Sequence, residues 1–419
     1  MHKEQPICRR RDDLEIVPTS FRGGPAIVVR DPLGLAAEPV LLRGEAVEVF
    51  VLLDGRRTLG DLRTALVRAR GGRLVDSADL ERLVRELEAA GFLQSPGYEE
   101  KKRRLVADYA GLEVREAVHA GASYPAEPDR LREYLETILA GAEGTAPPAG
   151  SGGRPLLALV APHIDLEVGR KVYAAAYRAL AGAGPRRIIL LGTGHGLEDG
   201  IFGLTDKDYV TPLGRVATDR AAVGRLRAAG AGCVAASDFG HRREHAIEFE
   251  LIFLQQMLGS GFSLVPVLCG SVAQYLDSVA GPADIPGVAG VLAELRRLRD
   301  EDPAGTLFVA GVDLSHIGPK FGHRERASAL LLEARAHDTA LLRAFTAGDA
   351  GAFWAEARRV GDRYNVCGLS ALAFLLEVLP GTKGAVLAYD FWREEPTRSA
   401  VSFAAAVLRA DSVATGGGS

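Results

Sequence analysis

At 419 residues the chain is long enough for two or three domains and a sizeable core. Apolar residues make up 47% and charged residues 25%, an ordinary balance for a water-soluble globular protein, and a net charge of −4 argues against a nucleic-acid or membrane-surface partner. Cys8, Cys233, Cys269 and Cys367 show no CxxC pair and no dense spacing, which excludes a disulfide framework and a zinc ribbon.

The first residues, Met-His-Lys-Glu-Gln-Pro, have no apolar signal region, and no apolar run reaches membrane length, so a cytoplasmic location is expected. Residues up to about Leu14 read as a mobile lead-in. Residues 26–30 and 40–42 are short strands separated by Asp31-Pro32-Leu33-Gly34. Residues 45–53 have helical spacing up to Asp54-Gly55, and 59–68 and 77–90 are amphipathic helices, the second capped at Asp76-Ser77. Together these predict a small α+β winged-helix-like module over 14–95. It is similar to the PqqD-like peptide-recognition fold through Leu53-Asp54-Gly55-Arg56-Arg57-Thr58 and residues 87–93. A structural appendage or dimerisation module is the alternative, and the mixed charges of the segment disfavour a nucleic-acid reader. A helical connector covers 96–113, a helix 129–140 and a Gly/Ala/Pro-rich loop 141–153.

The α/β core begins at residue 156. Residues 156–160 form an apolar run of buried-strand length, stopped by Ala161-Pro162 and followed by His163. A helix over 168–183 leads to a second run, 187–191, and Gly192-Thr193-Gly194 delivers His195. A strand, a helix and a strand of this size predict a right-handed parallel unit with both histidines at the carboxyl edge of one sheet, where open α/β sheets bind ligands. Residues 206–212 and 214–218 read as an antiparallel excursion, and 244–258 as a strong helix. Residues 263–268 form a third core strand ending at Cys269, and 306–312 a fourth ending at Asp313, with His316 beyond it. Helices follow over 326–345, 350–360 and 369–379, then closing strands over 386–389 and 400–407. The α/β domain thus spans 114–410, with a mostly parallel sheet flanked by helices, and 411–419 is a small-residue tail expected to be disordered.

Three of the four core strands end in His or in an Asp/His pair, in a chain with nine histidines. Two neutral imidazoles suit iron, copper or zinc but need a third protein ligand. Cys367, Asp313, His316, and His245 or Glu248 are the candidates. Cys367 lies where a helix is expected to start, a position that lowers a thiol's pKa and favours the thiolate. Glu244, His245 and Glu248 cluster at a helix start without forming HExxH, which excludes the zincin metalloprotease pattern and leaves them as helix-start charges or acid–base groups. There is no P-loop, no GxGxxG after a strand and no GxSxG elbow.

With these residues assembled, positions 114–410 resemble the Memo family, called AmmeMemoRadiSam system protein B in bacteria. The resemblance rests on eight ordered blocks: 120–125 (Ala-Gly-Ala-Ser-Tyr-Pro), 161–165, 191–196, 211–214, 244–248, 312–318, 366–368 and 401–404. It implies a fold similar to that of the class III extradiol dioxygenases, in which a His pair and a carboxylate hold non-haem iron, with a Cys in place of the carboxylate. The implied metal ligands are His163, His195 and Cys367, and the implied catalytic residues are His316 as the acid–base group and Asp313 orienting it, with His245 and Glu248 beside them. Where animal members have His-Ala-Gly, this chain has His163-Ile164-Asp165, which brings an extra carboxylate towards the site. The expected activity is a metal-dependent oxidation of a small-molecule or peptide substrate, with one transition metal ion, iron or copper ahead of zinc. The alternatives are an accessory protein that binds a peptide or a radical-SAM partner, and an extradiol-type dioxygenase.

Overall fold

A computed structural model describes residues 5–36, 39–141 and 154–410. The tail over 411–419 and most of the loop expected over 141–153 lie outside the described residues. The chain divides into two compact units, Met1–Tyr109 and Ala110–Ser419.

In the first unit β1 (Glu15–Phe21), β2 (Gly24–Arg30) and β3 (Val40–Arg43) form an antiparallel meander. α1 (Glu45–Leu52), α2 (Leu59–Ala69) and α3 (Ser77–Ala89) follow, and α4 (Pro96–Ala110) ends the unit. α2 is opened by a full capping box, Thr58 accepting from the Asp61 N–H while the Asp61 carboxylate accepts from the Thr58 N–H. The helices bury one stripe each, with Phe50, Leu62, Leu66 and Val84 fully inside. The lead-in is not loose. Ile7 is buried, and the N–H groups of Ile7 and Arg11 donate to the carbonyls of Arg57 and Phe92. The reason is Arg11, whose buried guanidinium pairs with Asp13 at 2.6 Å and Asp31 at 2.7 Å.

The second unit starts with β4 (Val114–Arg115) and α5 (Pro128–Ala140). β5 (Leu156–Ala161), α6 (Leu166–Arg178) and β6 (Arg187–Thr193) come next. β7 (Phe202–Leu204), β8 (Asp208–Thr211), β9 (Gly214–Val216), α7 (Arg220–Ala229) and α8 (His245–Leu258) lead to β10 (Ser263–Cys269). α9 (Val288–Glu301), unanticipated in the sequence reading, precedes β11 (Thr306–Gly311) and the short β12 (His316–Ile317). α10 (Ala327–Thr346), α11 (Ala350–Val360), α12 (Leu369–Val378), β13 (Thr382–Glu394) and β14 (Ser399–Ala410) complete the chain.

The large sheet runs β12-β14-β5-β11-β6-β10-β7, with β13 paired to β14. Its centre, β5-β11-β6-β10, is parallel, and its flanks are antiparallel. β11 lies between β5 and β6, so those two strands are not neighbours as a simple strand–helix–strand reading implies. Their carboxyl ends still face one edge. Alternation along the strands divides the interior into two cores. Leu159, Leu190 and Val309 pack under α6 and α8, while Val160, Leu191 and Ala310 pack under α9 and α12. A parallel centre buried on both faces explains why these strands are continuous apolar runs in the sequence.

Candidate metal centre

His163 follows β5 after Pro162, and is 2% exposed. Its backbone N–H donates to Asp313 Oδ1 at 3.1 Å, and its ring Nδ1 lies 3.0 Å from the carbonyl oxygen of Gly311 at the end of β11. That carbonyl can only accept, so Nδ1 carries the proton and Nε2 presents a lone pair. Burial, reinforced by the nearby His195, pushes the His163 pKa down to about 3, so the ring is neutral at physiological pH.

His195 comes off β6 and is held by Glu244. The carboxylate accepts the His195 backbone N–H at 2.9 Å and its Nδ1–H at 3.0 Å. The same carboxylate caps α8, accepting the N–H of Ala246 at 3.0 Å. A histidine clamped through Nδ1 by a carboxylate, with Nε2 turned to the next ligand, here Cys367, is the usual outer-shell arrangement of a metal-ligating imidazole. Burial alone would raise the Glu244 pKa, but His195, through its charge and its hydrogen bond, holds the group well below the usual range.

Cys367 arrives on the turn before α12. Its Sγ stands 3.5 Å from His163 Nε2 and donates to the Asp313 carbonyl at 3.3 Å. Gly368 allows this approach: a Cβ there would meet the Asp313 carbonyl oxygen and Val312 Cβ at 2.7 Å. The sequence argument that a helix start lowers the thiol's pKa does not hold. Burial raises it, and the hydrogen bond from His195 only partly offsets that.

The ligand atoms of His163, His195 and Cys367 all lie within 4.8 Å of one another. A nitrogen at about 2.1 Å and a sulfur at about 2.3 Å from one tetrahedral ion stand about 3.6 Å apart, so the 3.5 Å between His163 Nε2 and Cys367 Sγ fits a shared ion. Two imidazoles and a thiol suit a borderline or soft transition metal, which on binding displaces the proton that, despite burial, the Glu244 charge holds on His195, a group raised well above its usual pKa. The His195 side chain is 41% exposed, so the group opens to solvent on that side.

His245 begins α8 with its ring stacked on His195 at 4.9 Å between centroids, 5.0 Å from His163 and with Nδ1 3.3 Å from Glu244. Burial holds it well below its usual pKa, so it is neutral. His195, Glu244 and His245 form a second overlapping group of possible ligands.

Asp313 is buried with its pKa raised to about 6 by that burial, against the opposing pull of His316 and the His163 N–H. Its hydrogen bonds go to His163 and, through its carbonyl, to Cys367 and the Gly368 N–H. His316 is oriented by other groups. Its Nδ1–H donates to the Leu314 carbonyl at 2.9 Å and its backbone N–H to Tyr364 at 2.7 Å, and the ring is further held by the Asn365 backbone. Among the described residues His316 and Asp313 sense each other's charge and are not hydrogen-bonded to one another.

Glu248 lies a turn further along α8 and is not brought into either ligand group. Its carboxylate is engaged by Arg115, the Tyr124 hydroxyl and the N–H groups of Val118 and His119. Asp165 caps α6, accepting the N–H groups of Glu167 and Val168 at 3.0 and 3.2 Å. Two residues near the centre escaped the sequence reading. In the sequence Glu244 reads only as one of a charge cluster, and His119 follows no predicted core strand. His119 packs edge-on against His245 and Phe249.

Fold and site together define an α/β protein with a His-His-Cys group, able to hold a metal ion, at the carboxyl edge of its sheet. The chain belongs to the Memo family: the Memo-like protein family model matches residues 115–407. It is 27% identical over 401 residues to a MEMO1 family protein of Aquifex aeolicus, covering 92% of this chain and 96% of that one. It is 31% identical over 289 residues to a MEMO1 family protein of Aeropyrum pernix, covering 66% and 92% of the two chains. A relative from Thermus thermophilus is 29% identical over 356 residues, covering 84% and 99%. The Aquifex match is longer than the second unit and so takes in part of the first.

Proposed function

We propose that this protein is a metal-dependent redox enzyme whose single transition metal, iron or copper ahead of zinc, is held by His163, His195 and Cys367. The observation that carries this reading is the convergence of two Nδ1-clamped imidazoles and a thiol on one point. A bound metal of this kind supplies one-electron chemistry and a Lewis acid beside an open position. The chain's own residues do the rest. Gly311 and Glu244 fix the ring orientations, and Asp313 holds His163 and Cys367 to the same strand end. His316, oriented by Leu314 and Asn365, is the group that takes or gives a proton at the substrate. His245 and His119 form a neutral ring wall beside His195.

In this reading the second unit shares the architecture of the class III extradiol dioxygenases, with Cys367 where those enzymes place a carboxylate. The first unit, a winged-helix-like or PqqD-like module, presents a peptide or engages a radical-SAM partner. The test is metal stoichiometry. Purified protein is expected to bind about one ion per chain, with a thiolate-to-metal charge-transfer band, and His163→Ala and Cys367→Ala each to abolish both. Full metal retention in both variants refutes the site. His316→Ala is expected to keep the metal and the band.

A further inference from the structure

Asn365 is the only asparagine in the 419-residue chain, and it stands two residues before Cys367 on the segment between α11 and α12. Its backbone is left-handed, with φ 49°, and so is that of Asp362, with φ 58°. Among the described residues only Arg22 and Arg398 share that conformation without being glycine. Glycine would fill both positions without strain, and the chain uses it for nearly every other such turn, Gly361 included. What glycine lacks is a side-chain amide with two N–H donors.

The amide spends both donors on the strand end that carries His316. Asn365 Nδ2 donates to the His316 carbonyl at 3.1 Å and to the Phe321 carbonyl at 3.2 Å. The contact is returned. The His316 N–H donates to the Tyr364 carbonyl at 2.7 Å, and the His316 ring is hydrogen-bonded to the Asn365 backbone. The Phe321 ring stands edge-on to the His316 ring, 4.9 Å between centroids, so the second amide bond also holds the backbone of the residue that packs on that imidazole.

The other end of the same segment carries Cys367. The Asn365 N–H donates to the Asp362 carbonyl at 3.0 Å, and the Val366 N–H to Asp362 Oδ1 at 3.2 Å, which closes 362–366 into a tight turn. Just beyond it the Cys367 carbonyl accepts the Thr193 hydroxyl at 3.2 Å, and the Gly368 N–H donates to the Asp313 carbonyl at 3.0 Å. A closed turn has few free torsions, so a shift at the His316 end is passed on to the thiol. A misplacement of about 1 Å in a reacting group costs about 100-fold in rate, which makes such a brace worth its backbone strain.

We propose that Asn365 is a positioning residue that ties the Cys367 thiol and the His316 imidazole into one rigid unit, so that a metal ligand and the proton-transfer group keep a fixed separation. This rests on the metal-centre reading of those two residues. The left-handed turn brings the amide within reach of both carbonyls, and the two hydrogen bonds offset its strain.

The single asparagine makes the test direct. Full-length protein labelled with 15N in the asparagine side chain gives one pair of NH2 signals, expected to exchange with solvent at least about tenfold more slowly than free asparagine. Asn365→Gly keeps the left-handed turn and deletes the donors. In the chelator-treated full chain it is expected to raise Cys367 alkylation by iodoacetamide about tenfold, read by peptide mass spectrometry. It is also expected to displace the His316 ring signals in 15N-histidine spectra, which His316→Ala identifies. Cys233 is buried and reports global opening, so it is expected to react at the parental rate. Should Asn365→Gly fail to fold by circular dichroism, Asn365→Ser, with one donor, takes its place. The proposal is overturned if the parental amide exchanges like free asparagine, if Cys367 and Cys233 gain reactivity together, or if only one of Cys367 and His316 responds, or neither. Metal stoichiometry of the parent decides the metal reading separately, so each can fail without the other.

Discussion

Glu244 does two jobs with one carboxylate, and separating them tests how the centre is built. It orients His195 through two hydrogen bonds and caps α8 through the Ala246 N–H. Glu244→Gln keeps an oxygen acceptor of nearly the same shape but removes the charge and one of the two equivalent oxygens. Outer-shell partners of metal-bound histidines are worth about 10–100-fold in metal affinity, or about 1.4–2.7 kcal/mol. Losing a helix cap costs about 1 kcal/mol. Glu244→Gln is therefore expected to weaken metal binding 10–100-fold at a smaller stability cost than Glu244→Ala, since its NH2 group cannot accept the His195 N–H but its oxygen can still cap Ala246. Glu244→Ala is expected to do the same and to destabilise the chain by about 1–3 kcal/mol, since it also leaves buried N–H groups without an acceptor. The assay is competition with a chelator of known affinity, alongside thermal unfolding of the metal-free protein. If both variants lower stability and leave the metal affinity unchanged, Glu244 is a cap and His195 is not a ligand oriented through it.

Three further outcomes are expected. Gly368→Ala forces a methyl group to within 2.7 Å of the Asp313 carbonyl and Val312, so it should cost about 1–3 kcal/mol in denaturant unfolding and weaken metal binding by moving Cys367. Arg115→Ala leaves Glu248 as a buried carboxylate without its ion-pair partner and should cost about 3–5 kcal/mol in the same assay, while Arg115→Ala with Glu248→Gln should recover part of that. In the first unit, burial pushes the Asp31 pKa up, but Arg11 and the N–H groups of Ala36 and Leu33 outweigh it and hold it below its usual value. That stabilisation is present above the ordinary carboxylate pKa and is lost as pH falls through the folded value. Amide exchange of α1–α3, corrected for intrinsic rates, should therefore lose protection on acidification in the parent and lack that acid-dependent step in Asp31→Asn.

The parallel centre of the sheet was legible because strands buried on both faces must be continuous apolar runs, and β5, β6, β10 and β11 are such runs. The order of those strands was not, since no local pattern says that β11 inserts between β5 and β6. The histidines after β5 and β6 stood out because a strand end fixes where the next residue emerges. The carboxylates of α8 did not sort themselves in the same way. Glu244 and Glu248 are a helical turn apart, yet the cap turns back to His195 while the other meets Arg115 and Tyr124 from distant sequence. Arg11 shows the same limit: its partner Asp31 is a turn residue in the sequence, and only the fold makes the pair that docks the lead-in.

The hydrogen bond between the His163 N–H and Asp313 spans 150 positions of the chain, and the approach of Cys367 to His163 spans 204. An ion joining His163 to Cys367 would be a clip across half of the polypeptide. Loop closure of that length is entropically costly in an unfolded chain, so the ligands come together only after β5, β6 and β11 have paired. Metal uptake during refolding should accordingly lag behind formation of the sheet. A chain cut between α6 and α12 could keep its ion only while the two fragments remained associated.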